Sequence, residues 1–121
     1  MNIRIYYDST DAGKIVYHTE YIKFCEQARS EIFFKNGIIF EKEGYVVKHL
    51  EANYLASAKL GDIITVKTKV VEISKVKLTL KQTIYKENKK LFEMEVTLVY
   101  IKDSKISKIP PSHIDILNEY A

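Results

Sequence analysis

Between Val76 and Ile84 the chain alternates with hardly a break. Val76, Leu78, Leu80, Gln82 and Ile84 stand against Lys75, Lys77, Thr79, Lys81 and Thr83. A period of two is that of a strand with one buried face. Ile64, Val66, Thr68 and Val70 repeat the pattern, and Phe92, Met94, Val96, Leu98 and Tyr100 repeat it against Glu93, Glu95 and Thr97. Ile3, Ile5 and Tyr7 predict a short first strand, and from Tyr45 onward the chain reads as nearly all strand. Gly61-Asp62 marks a turn, and Lys86-Glu87-Asn88-Lys89 has the composition of a hairpin loop.

The period changes once, from about Thr19 to Lys35. Tyr21, Phe24, Cys25, Ala28 and Ile32 recur at helical spacing and form one apolar stripe, with Glu20, Lys23, Gln27 and Glu31 off it. Asn36-Gly37 supplies the left-handed stop that ends many helices. At 1.5 Å per residue such a helix is roughly 25 Å long, enough to cross a small sheet. Residues 38–43 allow one more short helical turn. Pro110-Pro111 halts any strand, and Ser112 with Asp115 predicts a capping box opening a terminal helix through Ile116 and Leu117.

The order is strand, long helix, then three or four long antiparallel strands, which predicts one α+β domain over residues 1–121. No repeat, linker or low-complexity stretch interrupts it. Val99, Ile101 and Leu91 fall on the nominally outward side of their strand, which predicts a homo-oligomer. Scattered surface hydrophobics on a monomer are the alternative.

Composition narrows the setting. At 46% hydrophobic and 29% charged residues the chain has the balance of an ordinary globular protein. It contains no run of eighteen apolar residues, so no transmembrane helix is expected and peripheral membrane association stays open. The N-terminus has no apolar core of a signal peptide, and Cys25 is the single cysteine; both predict a cytoplasmic protein. Net charge is +3, but only Arg4 and Arg29 are arginines. Base readout and bidentate phosphate clamps lean on arginine, and no basic patch is interleaved with aromatics, so nucleic acid is not an expected partner. Most of the lysines read as solubility and edge protection. No HxxxH or clustered Cys/His site suggests a metal, and no cofactor is implied.

The chemistry concentrates in YYDSTDAGKIVYHTEYIKFCEQARSEIF, residues 6–33. Asp11 sits in a glycine-containing loop seven residues before His18, at the mouth of the long helix. A helix N-terminus presents unpaired N–H groups and partial positive charge, so it can hold the oxygen of a polarised carbonyl while a nearby carboxylate attacks or activates water. An aspartate in this place is most often only a cap, so the residues alone leave both readings open. Asp8 reads as a loop cap, Tyr17 as packing or site wall, and Glu26 as a reserve base or one half of an ion pair. Cys25 reads as packing. His49 and His113 show no partner in the sequence.

The same stretch resembles the signature of the 4-hydroxybenzoyl-CoA thioesterase superfamily, and within it the bacterial acyl-CoA thioesterases associated with the Tol-Pal system. The likeness is carried by Tyr7, Thr10, Asp11, Ala12, Gly13, Val16, Tyr17, His18, Tyr21, Phe24, Glu26, Ala28 and Arg29, and later by Tyr54, Ala56, Ala58 and Leu60-Gly61-Asp62. Ser9 stands where that family often has an acidic residue, and Lys14 replaces its second glycine. The resemblance implies a hotdog fold, one long central helix wrapped by an antiparallel β-sheet, with sheets joined edge to edge in dimers, active sites at the interface and a tetramer as a natural assembly. It implies Asp11 as nucleophile or general base, the His18 backbone N–H as an oxyanion donor, and Tyr17 with the His18 imidazole shaping the site. The substrate it implies is an acyl-CoA, or an acyl carrier protein thioester. Ser74, Lys75 and Lys77 occupy the place where related enzymes hold phosphates, with Lys59 and Lys108 as further candidates. A hotdog hydratase or dehydratase using His18 and Glu26, and a non-catalytic acyl-binding or scaffold protein, are the alternatives.

Overall fold

Alternation in sequence becomes register in space. The computed structural model describes residues 1–121 as β1 (Asn2–Arg4), α1 (His18–Phe34), β2 (Glu43–Tyr54), β3 (Ile63–Ile73), β4 (Lys77–Lys86), β5 (Lys89–Lys102), β6 (Lys105–Ile106) and α2 (Pro111–Asn118), with one 3₁₀ turn at Tyr7–Ser9. The strands make one antiparallel sheet in the order β1-β3-β4-β5-β2, with β6 paired to β5. Ile64, Val66, Leu78, Leu80, Ile84, Phe92, Met94, Val96, Leu98 and Tyr100 are all buried, as their alternation requires.

Each of the three long pairings contains a register shift: between Val47 and His49 on β2, between Val70 and Glu72 on β3, and across Ile84 and Tyr85 between β4 and β5. Such bulges increase twist and bend a sheet, here around a single helix. The third one also corrects the expectation for Leu91. Ile84 pairs with Phe92 and Tyr85 with Lys90, so Leu91 is the extra residue. The bulge turns it inward beside Phe92, and it is 1% exposed rather than outward-facing.

Helix α1 buries the expected stripe of Tyr21, Phe24, Cys25, Ala28 and Ile32, and adds Arg29 and Phe33. Its end is a Schellman motif. Gly37 is left-handed at φ 80°, its N–H donates to the Phe34 carbonyl, and the Ile38 N–H donates to that of Phe33. The helix stripe and the inward strand residues share one core cluster. This is the α+β hotdog arrangement that the resemblance implies.

Three local expectations differ, and one histidine has partners that the sequence does not show. The first strand stops at Arg4, and Tyr7, in the 3₁₀ turn, is 72% exposed. Residues 38–43 form no helical turn, because β2 begins at Glu43 directly after the Schellman turn and a short connection. Ser112 is not a cap: α2 starts at Pro111, whose missing N–H suits the first helical position, and no side chain caps the helix. His113 does have partners. It is buried, its Nδ1 lies 2.9 Å from the Tyr45 hydroxyl, and Phe33, Phe40 and Tyr100 surround it. No helix is long and apolar enough to cross a membrane.

Candidate functional site

The loop that carries Asp11 is pinned at both ends. Thr10 pairs with Val16, and Ile15 pairs with Lys59. The Val16 N–H donates to the Ala58 carbonyl, that of Leu60 to Lys14, and that of Tyr17 to Ser9. Asp11 closes the turn between them. Its N–H donates to the Ile15 carbonyl and its own carbonyl accepts from Lys14, both at 2.9 Å. Its Oδ1 accepts from the N–H groups of Gly13 at 2.8 Å and Ile15 at 3.1 Å. Oδ2 has no partner in the chain, and the residue is exposed. One carboxylate oxygen therefore anchors the group while the other faces solvent.

Gly13 and Lys14 shape that turn. A Cβ on Gly13 would meet Asp11 Oδ1 at 3.3 Å, so the glycine leaves room for the carboxylate. Lys14 adopts φ 63°, the left-handed conformation that glycine takes without strain. A lysine at this φ carries strain that a glycine would not.

Beyond the loop, Tyr17 occupies the N-cap of α1 without a side-chain cap bond, and its ring is half-exposed. The Glu20 N–H turns back to the Tyr17 carbonyl, while the N–H groups of His18 and Thr19 meet no acceptor in the chain. These orphan donors and the helix dipole make the mouth of α1 electropositive. Tyr54, at the end of β2, donates its hydroxyl to the His18 carbonyl at 2.6 Å. Its ring packs edge-on against Tyr21 and Phe92. Burial pushes the phenols of Tyr54 and Tyr21 up, so both stay protonated. Tyr21 in turn accepts the Ala58 N–H at 2.9 Å, which joins α1 to the segment that pins the Asp11 loop.

Between these groups lies an open cleft of about 350 Å³, lined by Val16, His18, Tyr21, Tyr54, Leu55, Ala56 and Ser57. His18 lines it; Asp11 and Tyr17 do not. Ser57 was not legible as a site residue, and Tyr54 was legible only as a match to the family and as a wall of an acyl pocket, with Phe33, Phe34 and Leu55, not as a hydrogen-bond donor. Only the fold brings the Tyr54 hydroxyl to the helix mouth.

The lysine candidates divide into two places. Lys59 pairs with Ile15, beside the Asp11 loop. Ser74, Lys75, Lys77 and Lys108 gather at the other end of β3. The Ser74 hydroxyl accepts the Lys77 N–H at 3.1 Å, and the Lys75 carbonyl accepts that of Ile109, next to Lys108. Lys77 crowds Lys48 and holds its ammonium below the usual lysine range. Ten residue steps of β3 separate the two places, roughly 33 Å along the strand. Asp8 makes no side-chain hydrogen bond and so caps nothing, and Glu26 makes no ion pair.

Residues 13–93 match the family model described as the thioesterase superfamily. An acyl-CoA thioesterase, YbgC, of Helicobacter pylori is 40% identical over 87 residues, which span 70% of this chain and 65% of that protein. The acyl-CoA thioester hydrolase YbgC of Escherichia coli O6:H1 is 34% identical over 110 residues, spanning 86% and 82%. Among solved structures, one from Bartonella henselae described as a probable thioesterase superposes with a TM-score of 0.82 at 30% identity, over 91% of this chain and 96% of that one.

Proposed function

The chain belongs to the thioesterase superfamily, and from that membership we propose that it hydrolyses acyl-CoA thioesters to the free acid and CoA, with Asp11 as the reacting carboxylate. The observation that carries this reading is the division of labour within Asp11: Oδ1 is held by two backbone N–H groups and Oδ2 is free. A carboxylate fixed in this way loses little freedom when it reacts. As nucleophile, Oδ2 attacks the thioester carbon, the C–S bond breaks, and the CoA thiolate leaves an acyl anhydride that water cleaves. As general base, it takes a proton from the water that attacks instead.

The oxygen of the polarised carbonyl would be met by the His18 N–H at the start of α1, where no group of the chain competes for it. The His18 imidazole would relay to the departing sulfur the proton that the attacking water gives up, and Tyr17 would close one side of the site. Within one chain, Asp11 does not line the cleft that His18 lines, and the Ser74, Lys75, Lys77 and Lys108 group sits at the far end of β3. Both facts fit a homo-oligomer in which one chain completes the site of another, with those residues and Lys59 receiving CoA phosphates. The unpaired outer edge of β2, carrying the exposed Val46 and Val47, supports pairing of two chains, and a homotetramer of two such dimers fits the half-exposed Val99 and Ile101 nearby. Residues 1–121 would act as one hotdog domain in the cytoplasm, on short- to medium-chain or aromatic acyl-CoA or on acyl carrier protein thioesters.

The test is thiol release from a panel of acyl-CoAs by the wild type and by Asp11→Asn. The wild type should turn over at least one of them, and Asp11→Asn should stay folded, keep substrate affinity and lose at least about 100-fold in kcat. Equal turnover by both proteins removes Asp11 from the mechanism. No turnover by either leaves an acyl-binding protein.

A further inference from the structure

Helix α2 is tied to the rest of the domain by a single polar group. Its backbone bonds stay local, and those that reach other elements lie on its flanks. The Ile109 N–H donates to the Lys75 carbonyl and the Tyr120 carbonyl accepts the Val70 N–H, both at 2.8 Å. Within the helix only His113 bonds another element, with its Nδ1 2.9 Å from the Tyr45 hydroxyl, and no residue of α2 forms an ion pair. His113 and Leu117 are its two buried side chains. Pro110 and Pro111 stand at its start and contribute no N–H. At 8 residues the helix is too short to persist in isolation, so it exists only while it is docked.

The tie is a histidine in an aromatic cage. His113 lies against Phe33 of α1, Phe40 of the connection after it, Tyr45 of β2 and Tyr100 of β5. Glu43 on β2 is the one carboxylate that acts on it, and that carboxylate accepts the hydroxyl of Tyr100, which Asp103 also faces. On α1, Arg29 and Glu26 line the neighbouring cleft. Lys108, before the prolines, and Asp115, on α2 itself, are exposed and unpaired. Burial outweighs the pull of Glu43 and holds the imidazole below its ordinary value. Burial also pushes the Tyr45 phenol up, so it keeps its hydrogen, and the neutral ring accepts it at Nδ1. Protonation turns Nδ1 into a donor, and the Tyr45 hydrogen loses its acceptor.

We infer that α2 is an acid-released latch: a proton on His113 frees residues 111–118 while α1 and the sheet stay folded. In the cage the charge has no carboxylate of its own, and it breaks the one polar tie; in the released segment it is solvated. Ile109, buried and bonded to Lys75, marks where the released segment begins. Once released, His113 titrates near its ordinary value of about 6.5, above the docked form. At higher pH both forms are neutral and their balance is constant. As pH falls through that value the released fraction rises, by up to about tenfold per pH unit, until the docked form takes the proton as well. Release uncovers Phe33, Phe40 and Tyr45, so the latch makes the exposure of that apolar surface depend on pH.

Amide NMR of the whole protein between pH 7.5 and pH 5 tests the latch. The amides of Ser112 to Asn118 should leave their helical shifts as pH falls, the released fraction growing by up to about tenfold per pH unit, while those of α1, β3 and β4 keep theirs. His113→Phe puts a ring without a titratable group in the cage and should hold α2 equally at both ends of the range. His113→Gln, neutral throughout, should be as insensitive to pH, and it carries the test if His113→Phe fails to fold. Loss of the α2 amides in step with those of α1 and the sheet would mean global unfolding and overturn the inference. A wild-type α2 still docked at pH 5 overturns it too, as does the same pH response in the histidine variants. The readout needs no substrate, so the result stands apart from whether the chain hydrolyses thioesters.

Discussion

The hydroxyl of Tyr54 donates to the carbonyl oxygen of His18 across 2.6 Å, tying the end of β2 to the first residue of α1. That bond fixes where the orphan N–H groups of the helix point. Tyr54→Phe keeps the ring contacts with Tyr21 and Phe92 and removes only the hydroxyl. Stability should fall by about 1 kcal/mol, the net worth of one hydrogen bond. If the helix mouth holds the oxyanion, kcat should drop about threefold to tenfold with KM nearly unchanged. Thermal unfolding and thiol-release kinetics read the two effects separately, and a change confined to stability would assign Tyr54 to the scaffold.

Gly13 makes a complementary prediction from inside the loop. Its backbone is not left-handed, so an alanine is allowed by φ, but the new Cβ would lie 3.3 Å from Asp11 Oδ1. The carboxylate must then shift by a few tenths of an ångström and loosen its bonds to the Gly13 and Ile15 N–H groups. Gly13→Ala should therefore cost turnover, about tenfold, while stability changes by less than about 1 kcal/mol. Unchanged kcat in this variant would mean that the position of Oδ1 does not matter to the reaction.

Lys14 predicts the opposite kind of change. At φ 63° it pays the steric penalty of an L-residue in the left-handed region. Lys14→Gly removes that penalty and gains less than its full value, because glycine also gives the unfolded chain more freedom. The expected net effect is stabilisation of about 0.5 kcal/mol, seen as a raised midpoint in urea unfolding with the same slope.

Much of this molecule was legible in its sequence, for physical reasons that differ from part to part. The strands and α1 are set by periodicity, and periodicity is a property of single residues and their neighbours, so Leu80, Val96 and Ala28 could be assigned without knowing their partners. Leu91 could not. A bulge depends on how two strands align, and the alternation of β5 alone puts Leu91 on the wrong face. Ser112 failed similarly, since Pro111 satisfies the same helix start at lower cost than a capping serine. At the candidate site, Asp11 and His18 carried a recognisable spacing. The bond from the Tyr54 hydroxyl to His18 and that from Arg29 to Gln82 appear only once distant segments meet.

His113 gives the protein a pH dependence whose sign follows from its surroundings. It is 2% exposed within Phe33, Phe40, Tyr45 and Tyr100, and burial lowers its pKa against a weaker upward pull from Glu43. In the unfolded chain a histidine titrates near its ordinary value of about 6.5. Above that pH the residue is neutral in both states, and its contribution is constant. As pH falls through 6.5 the unfolded chain takes up the proton first, so the folded state loses stability. The loss continues until the folded-state pKa is passed, with a slope of at most about 1.4 kcal/mol per pH unit for one proton. His113→Phe should be less stable at pH 7.5, because it leaves the Tyr45 hydroxyl without its partner. It should also lose this part of the decline between pH 7 and pH 5. Urea unfolding of both proteins across that range checks it, and parallel curves would show that His113 does not titrate on unfolding.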